Sequence, residues 1–396
     1  MAAADSASET GLLGFYVAQQ NQGILEVSFD PAKAPEDALS IIATTEAGTQ
    51  PQWLRGYKDK IYAISRTTFP DATSTSGGVF AFQRPSSTEE AWRPLKLLDS
   101  KSSHGQGGVH CDVSPDGRTL AATNIEGSTM AIYPLSSDGL IGKPAYKVEY
   151  TLKEFGPGAK GSQTESFPHE SAFDPSGQFI FIPARGEDRV HVYSVPSADK
   201  VRQLEDIVVP PGTGPRHTAF RIVNRTKTFF YLLGELDNTI RVYTIDYIET
   251  PNRLTFTLHQ TISTLGANLP PSPPDRASLA SEMAFTTDGK FAYASNRNTI
   301  SRGSDTLAIY SINDSDPANH LTYIAREKTL GKIPRHFALS PDEKNKYLCV
   351  ANEYSNEIVV FERDEHTGLM KEVKGRLSLG EALFKARNGP ACILWK

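Results

Sequence analysis

The stretch PRHFALSPDEKNKYLCVANEYSNEIVVFER, residues 334–363, decides the fold. It contains three short runs of alternating apolar residues, RHFALS, KYLCVAN and EIVVFER, separated by clusters of Asp, Asn, Glu and Lys. Alternation at period two over runs this short is the pattern of half-buried strands, and the polar clusters between them are turns. These strands are labelled a, b and c in chain order.

Outward from EIVVFER, the pattern of strand c occurs seven times: ILEVSF at 24, VFAFQR at 79, MAIYPL at 130, VHVYSV at 190, IRVYTI at 240, LAIYSI at 307 and IVVFER at 358. Its fourth position is Val27, Phe82, Tyr133, Tyr193, Tyr243, Tyr310 and Phe361, at intervals of 50 to 67 residues. β-branched and aromatic residues suit a packed, pleated surface. Self-similarity at a near-constant spacing marks a repeat architecture. The hairpin signals SPDG (114–117), DPSG (174–177) and TTDG (286–289) join a to b. A fourth strand d, such as LMKEVKG after the last c, is less sharply defined.

The phase of the repeat at the chain ends is informative. The N-terminal side enters at a strand b, LGFYVAQ, while the C-terminal GPACILWK reads as a strand a with nothing after it. Together they complete one unit. The sequence therefore predicts an all-β, seven-bladed β-propeller of four-stranded blades. Its ring is closed by the C-terminal strand pairing with the N-terminal blade, which leaves no exposed edge. Residues 1–10 are expected to be a flexible polar tail and 11–396 a single domain. No Trp-Asp dipeptide occurs, which argues against the WD40 type. The Pro-rich LPPSPPDRAS (269–278) reads as a loop before the sixth strand a.

A net charge of -5 over 396 residues argues against a nucleic-acid partner. No apolar run approaches the ~20 residues that cross a bilayer, so no membrane association is expected. Cys111, Cys349 and Cys392 are far apart and lack metal or disulfide spacing. The start MAAADSASETG has no hydrophobic stretch, so a cytoplasmic location is expected. Sequons at Asn224 and Asn313 leave secretion open if a leader has been removed. A closed ring needs no partner, and a monomer is expected.

In a propeller strand a is innermost and b runs antiparallel to it. The starts of a and the ends of b therefore converge on one mouth of the central channel. The starts of a supply a column with His169, Arg216 and Arg335, beside a second with His110, Glu170, His217, Glu282 and His336. The ends of b supply Arg66, Arg185, Glu235, Arg297 and Glu353, with Gln19 and Ile125 in the remaining blades. Charged side chains are rarely buried without partners, so this set is either an interlocking ion-pair ring or a site. Arginines facing one cavity grip a carboxylate or phosphate and stabilise an oxyanion, while His169 and Glu235 supply acid and base. No GxSxG motif occurs. His110 and Cys111 are adjacent in a strand and face opposite ways, so a covalent mechanism is disfavoured. His110, His217 and His336 occupy equivalent repeat positions and read as hydrogen-bonding spacers between blades, with no metal or cofactor expected.

The segments PHESAFDPSGQFIFIPARGEDRVHVYSV, GPRHTAF with YLLGELDNTIRVY, ASEMAFTTDGKFAYASNR, and PRHFALSPD with YLCVANEYSNEIVVF resemble the seven-bladed lactonase family. That family includes bacterial 6-phosphogluconolactonase and the fungal 3-carboxy-cis,cis-muconate lactonizing enzyme. The resemblance runs from about residue 11 to the C-terminus and is strongest from 165 to 365. It implies a metal-independent site whose catalytic residues are His169, Arg216, Glu235 and Arg297. Arg185, Arg335 and His336 match recurrent family positions nearer the lactonase branch. His217, Glu282, Glu353, Arg66 and His110 complete the expected substrate-binding set. Two departures, the 269–278 insert and the loop TTFPDATSTSGG (67–78), bear on the substrate. The implied function is hydrolysis of an acidic sugar lactone. The alternatives are ring closure of a polycarboxylate, including cyclisation in a specialised-metabolite pathway, and a non-catalytic binding propeller.

Overall fold

A computed structural model of the chain describes residues 13–85, 93–158, 161–248, 253–266, 278–299, 303–381 and 388–396. Among them the strands form seven antiparallel sheets, and the only helical element is a 3-10 turn at Pro317–Asn319. The N-terminal tail and residues 269–277 of the Pro-rich loop lie outside the described residues.

Blades 2 to 7 run outward in chain order from inner strands Thr49–Tyr57, Gly108–Val113, Ala172–Phe173, Pro215–Asn224, Leu279–Phe285 and Pro334–Leu339. Blade 1 takes its inner strand from the far end of the chain, in the order Pro390–Trp395, Leu13–Gln19, Gly23–Phe29, Leu39–Thr45. The closing register pairs Phe15 with Trp395 and Val17 with Ile393. Trp395 meets the Phe15 ring edge-on at 5.1 Å and donates its indole N–H to the Ala338 carbonyl of blade 7 at 3.2 Å. Burying that indole with its N–H satisfied fastens the last strand to blade 7 as well as to blade 1. Seven apolar clusters fill the gaps between neighbouring blades, and the one uniting Tyr347, Ile358 and Val360 with Phe15, Leu25 and Val27 completes the ring.

Blade 4 departs from four continuous strands. Its outer edge is two pieces, Lys200–Gln203 and Ile207–Val208, both paired with Arg189–Ser197. Between them Asp206 turns onto His191, with Oδ2 3.1 Å from Nδ1, and the ladder is broken there.

The inner strands share a feature the repeat pattern did not reveal. In each blade one extra residue interrupts the pairing of a with b: Gln52 lies between Pro51↔Ser65 and Trp53↔Ile64, and Arg216 between Pro215↔Gly234 and His217↔Leu233. The same step falls at Val109, Arg335 and Ala391, within Ser281–Glu282, and between Pro168 and Ala172 in blade 4. Such a bulge sets two residues against one and interrupts strict alternation. Neighbours such as Arg216 and His217 can therefore both project into the channel.

Candidate active site

Glu235 is the hub of the mouth. Its carboxylate faces Arg216 Nε at 3.1 Å, Arg185 Nη1 at 3.2 Å and Arg297 Nη2 at 3.3 Å, from blades 5, 4 and 6. Charge-assisted pairs of this kind are the strong ones, and one carboxylate leaves the three guanidiniums with excess positive charge. Arg216 is 1% exposed, donates from Nη1 to His217 Nε2 at 2.9 Å, and bonds the Ser281 carbonyl. Burial, then neighbouring Arg297, pulls its pKa down to about 9, so it remains charged at neutral pH. Arg297 also holds the Ala280 carbonyl at 2.9 Å.

His169 lies beside this cluster, its ring centroid 5.1 Å from that of His217. Its Nδ1 is buried and has no hydrogen-bond partner among the described residues. Burial, followed by Arg216, His217, Arg335 and Arg185, holds its pKa well below 6.5. The imidazole is therefore neutral at pH 7 and has a nitrogen free to take a proton.

The ring of side chains continues through blades 7, 1 and 2. Arg335 Nη2 donates to Gln52 Oε1 at 3.1 Å, Gln52 Nε2 to Gln20 Oε1 at 2.9 Å, and Gln20 Nε2 to Glu353 Oε1 at 2.7 Å. The blade 1 member is thus Gln20, which corrects the sequence alignment on Gln19. The Gln20 N–H bonds the Gly389 carbonyl just as Glu235 bonds Gly214 and Glu353 bonds Ile333. Gln19 instead caps its own turn, accepting from the N–H groups of Asn21 and Gln22. Arg66 turns to Glu126 between blades 2 and 3 and bonds none of the other mouth residues.

His110, His217, Glu282 and His336 form a second layer around Trp53, whose ring centroids lie 4.2, 5.4 and 5.0 Å from those of His110, His217 and His336. The tautomers follow from the donors. Arg216 donates to His217 Nε2, so His217 Nδ1–H donates to Glu282 Oε1 at 3.0 Å. Backbone N–H groups of Ser171 and Ile393 occupy Nδ1 of His110 and His336, at 3.3 and 3.2 Å. Burial lowers the pKa of all three, and that of His336 falls to about 4. Each of the three is thereby hydrogen-bonded to the innermost segment of the next blade. Glu170 is occupied by the Thr218 N–H and hydroxyl, each at 2.6 Å. Among the described residues no group of three or more His, Cys, Asp or Glu is placed to hold a metal ion.

Gln20, Gln52 and Trp53 were missed by the sequence reading because they are uncharged or aromatic. Gln52 and Trp53 follow Pro51, as Arg216 and His217 follow Pro215 and as Arg335 and His336 follow Pro334. Proline within a sheet favours bulges, so that recurrence was a usable signal. A cavity of about 680 Å³ opens toward the other face of the ring, lined by Trp53, His110, Glu170, Glu282 and His336. A cleft of about 770 Å³ near Tyr57, Arg118 and Ser136 holds none of the expected residues. The loop 67–78 carries Phe69, which packs edge-on to Phe80 of its own blade at 5.6 Å.

The connection leading into His169 is tied to blade 4 by a half-buried ionic cluster around the buried His191. His191 meets Asp206 at 3.1 Å and Glu187 at 3.3 Å, Tyr150 stacks on its ring at 4.4 Å, and Glu187 also accepts from Ser166. Arg189 faces both carboxylates, at 3.5 Å from Glu187 and 3.3 Å from Asp206. Burial alone would lower the His191 pKa, but its bonds to Asp206 and Glu187 win and raise it above 6.5. The same bonds outweigh burial to hold Asp206 below 3.8 and Glu187 below 4.5. A raised histidine stabilises the fold fully below its unfolded value and loses that contribution as pH climbs through the folded one; depressed carboxylates lose theirs as pH falls. The cluster should therefore contribute in full between pH 4.5 and 6.5 and weaken on both sides. Urea midpoints against pH should show this, and His191→Asn should flatten the alkaline flank. An unchanged flank in that variant would assign it to another group.

Residues 10–395 match the family model described as lactonase, 7-bladed beta-propeller. A protein named 6-phosphogluconolactonase from Formosa agariphila is 29% identical over 309 residues, covering 76% of this chain and 79% of that protein. The 6-phosphogluconolactonase of Bacillus subtilis is 25% identical over 371 residues, covering 93% and 95%. Among solved structures, a putative 6-phosphogluconolactonase from Bacteroides fragilis superposes with a TM-score of 0.76 at 23% identity, covering 99% of each chain. A periplasmic gluconolactonase from Pseudomonas aeruginosa gives 0.77 at 21%, covering 97% and 99%, a likeness of fold.

Proposed function

This chain belongs to the seven-bladed β-propeller lactonase family, and from that premise we propose that it hydrolyses an acidic sugar lactone, with 6-phosphogluconolactone the first candidate. The observation that carries the reading is the convergence of Arg185, Arg216, Arg297 and Glu235 beside the buried Nδ1 of His169, which has no partner among the described residues.

In this scheme His169 Nδ1 takes a proton from the water that attacks the lactone carbonyl. Arg216 and Arg297 stabilise the oxyanion that forms there. As the ring C–O bond breaks, the His169 imidazolium returns the proton to the departing ring oxygen, and a hydroxy acid results. Arg185 and Arg335 hold the acidic group of the substrate. Three guanidiniums engage the Glu235 carboxylate, so its role is to orient them, and the base is His169. An incoming anion offsets the positive field that depresses His169 and makes the imidazole a better base once substrate is bound.

The test is direct. Purified protein mixed with fresh 6-phosphogluconolactone should consume it faster than spontaneous hydrolysis, and 3-carboxymuconate should keep its diene absorbance. Loss of the diene without lactone turnover would transfer the site to ring closure. No reaction with either would remove the lactone assignment.

A further inference from the structure

We infer that Asp188 is the positioning residue of this site, one buried carboxylate that fixes the segments carrying His169, Arg185, Arg216 and Glu235; the inference rests on the proposed reading of those four as members of the lactone site. Asp188 sits in the turn between Phe179–Ala184 and Arg189–Ser197 with a positive φ of 52°, a conformation uncommon outside glycine but more often adopted by Asp and Asn. It is buried. Its Oδ1 accepts from the Gly214 N–H at 2.8 Å, and its Oδ2 accepts from the Gly212 N–H at 2.7 Å and from Gln163 Nε2 at 2.8 Å.

Two of these partners, Gly214 and Gln163, lead to residues of the site. Gly214 takes a positive φ of 60°, and a Cβ there would come within 2.4 Å of the Leu236 side chain, so the approach depends on glycine. Its carbonyl accepts the Glu235 N–H at 2.8 Å, and Arg216 lies two residues further along the chain. Gln163 also donates to the Arg185 carbonyl at 3.0 Å, while its Oε1 accepts the Gly158 N–H at 2.7 Å. The adjacent Glu187 holds Ser166, three residues before His169. The turn Arg185–Asp188 thus clamps the chain both before His169 and before Arg216.

Asp305 provides an internal comparison. It accepts the Ile333 N–H at 2.8 Å, and the Ile333 carbonyl accepts the Glu353 N–H, which is the same stitch two places further round the ring, between blades 6 and 7. What sets Asp188 apart is the second arm through Gln163. Holding a reacting set to within a fraction of an ångström matters because misplacement by about 1 Å costs on the order of 100-fold in rate.

The experiment uses the full chain with Asp188→Asn, which keeps the size but turns an amide NH₂ toward backbone donors, and Gln163→Leu, which removes the loop arm alone. Turnover of 6-phosphogluconolactone and backbone amide exchange are read on both. Asp188→Asn should lower kcat by at least ~10-fold with a much smaller change in KM. Exchange should rise at Gly212, Gly214 and Glu235 but not at Ile333 and Glu353. Gln163→Leu should lower kcat less and leave exchange at Gly214 protected. If Asp188→Asn does not fold, Gln163→Leu is judged by the same two readings. An unchanged kcat in folded variant, or exchange rising equally in all blades, would overturn the inference and leave Asp188 a general stitch. A wild-type chain that does not hydrolyse the lactone would remove the proposed function instead, and the exchange pattern alone would then decide on Asp188.

Discussion

Replacing His169 with alanine is expected to lower lactone turnover by at least ~100-fold, the usual size of a lost acid–base contribution. The fold should survive. His169 Nδ1 bonds nothing among the described residues, so its removal strands no donor or acceptor there, and its backbone N–H keeps the Pro183 carbonyl at 2.9 Å. The pH profile gives a second reading. A base must be neutral, and burial with the neighbouring arginines holds His169 well below 6.5. In the wild type, kcat/KM should therefore persist to lower pH than an ordinary imidazole base allows, and should fall only as the medium becomes acidic enough to charge it. The alanine variant should lose that acid limb along with its rate. Near-normal turnover in the variant, with the limb intact, would give the base to another residue.

The second large effect belongs to Arg297. Its Nη2 reaches both Glu235 at 3.3 Å and the Ala280 carbonyl at 2.9 Å, and its Nε is buried without a partner among the described residues. Arg297→Ala should lower turnover by at least ~100-fold, the cost of removing one donor from a developing oxyanion. Arg297→Lys distinguishes charge from geometry. Lysine restores a point charge but not the planar fork that bonds Glu235, the Ala280 carbonyl and a ligand at once. Rates for the lysine variant should stay close to those of alanine. Recovery to near wild-type rates would mean that charge alone is used there, and unchanged turnover in alanine would place the reacting carbonyl elsewhere.

Much of this was legible before any coordinates. The seven copies from ILEVSF to IVVFER, with Tyr133, Tyr193, Tyr243 and Tyr310 at one position, counted the blades. The incomplete units at LGFYVAQ and GPACILWK announced the closure that the Phe15↔Trp395 register provides. The ends of strand b were readable for Arg185, Glu235, Arg297 and Glu353, because a charge ending an apolar run stands out. In blade 1 the adjacent Gln19 and Gln20 left that column ambiguous by one residue. Only the interstrand bond from Gln20 to Gly389 separates a channel-facing amide from a turn cap.

The sequence by itself determined the repeat, its number, its closure and the end of the ring where the charges gather, because these follow from periodicity and antiparallel connection. The tertiary structure decided which charges meet. One extra residue in each inner strand turns both Arg216 and His217 toward the channel, against strict alternation, and only the angle between blades brings Arg185, Arg216 and Arg297 onto a single carboxylate. Those contacts join residues far apart along the chain, and no local pattern records distances that arise only when the ring is shut.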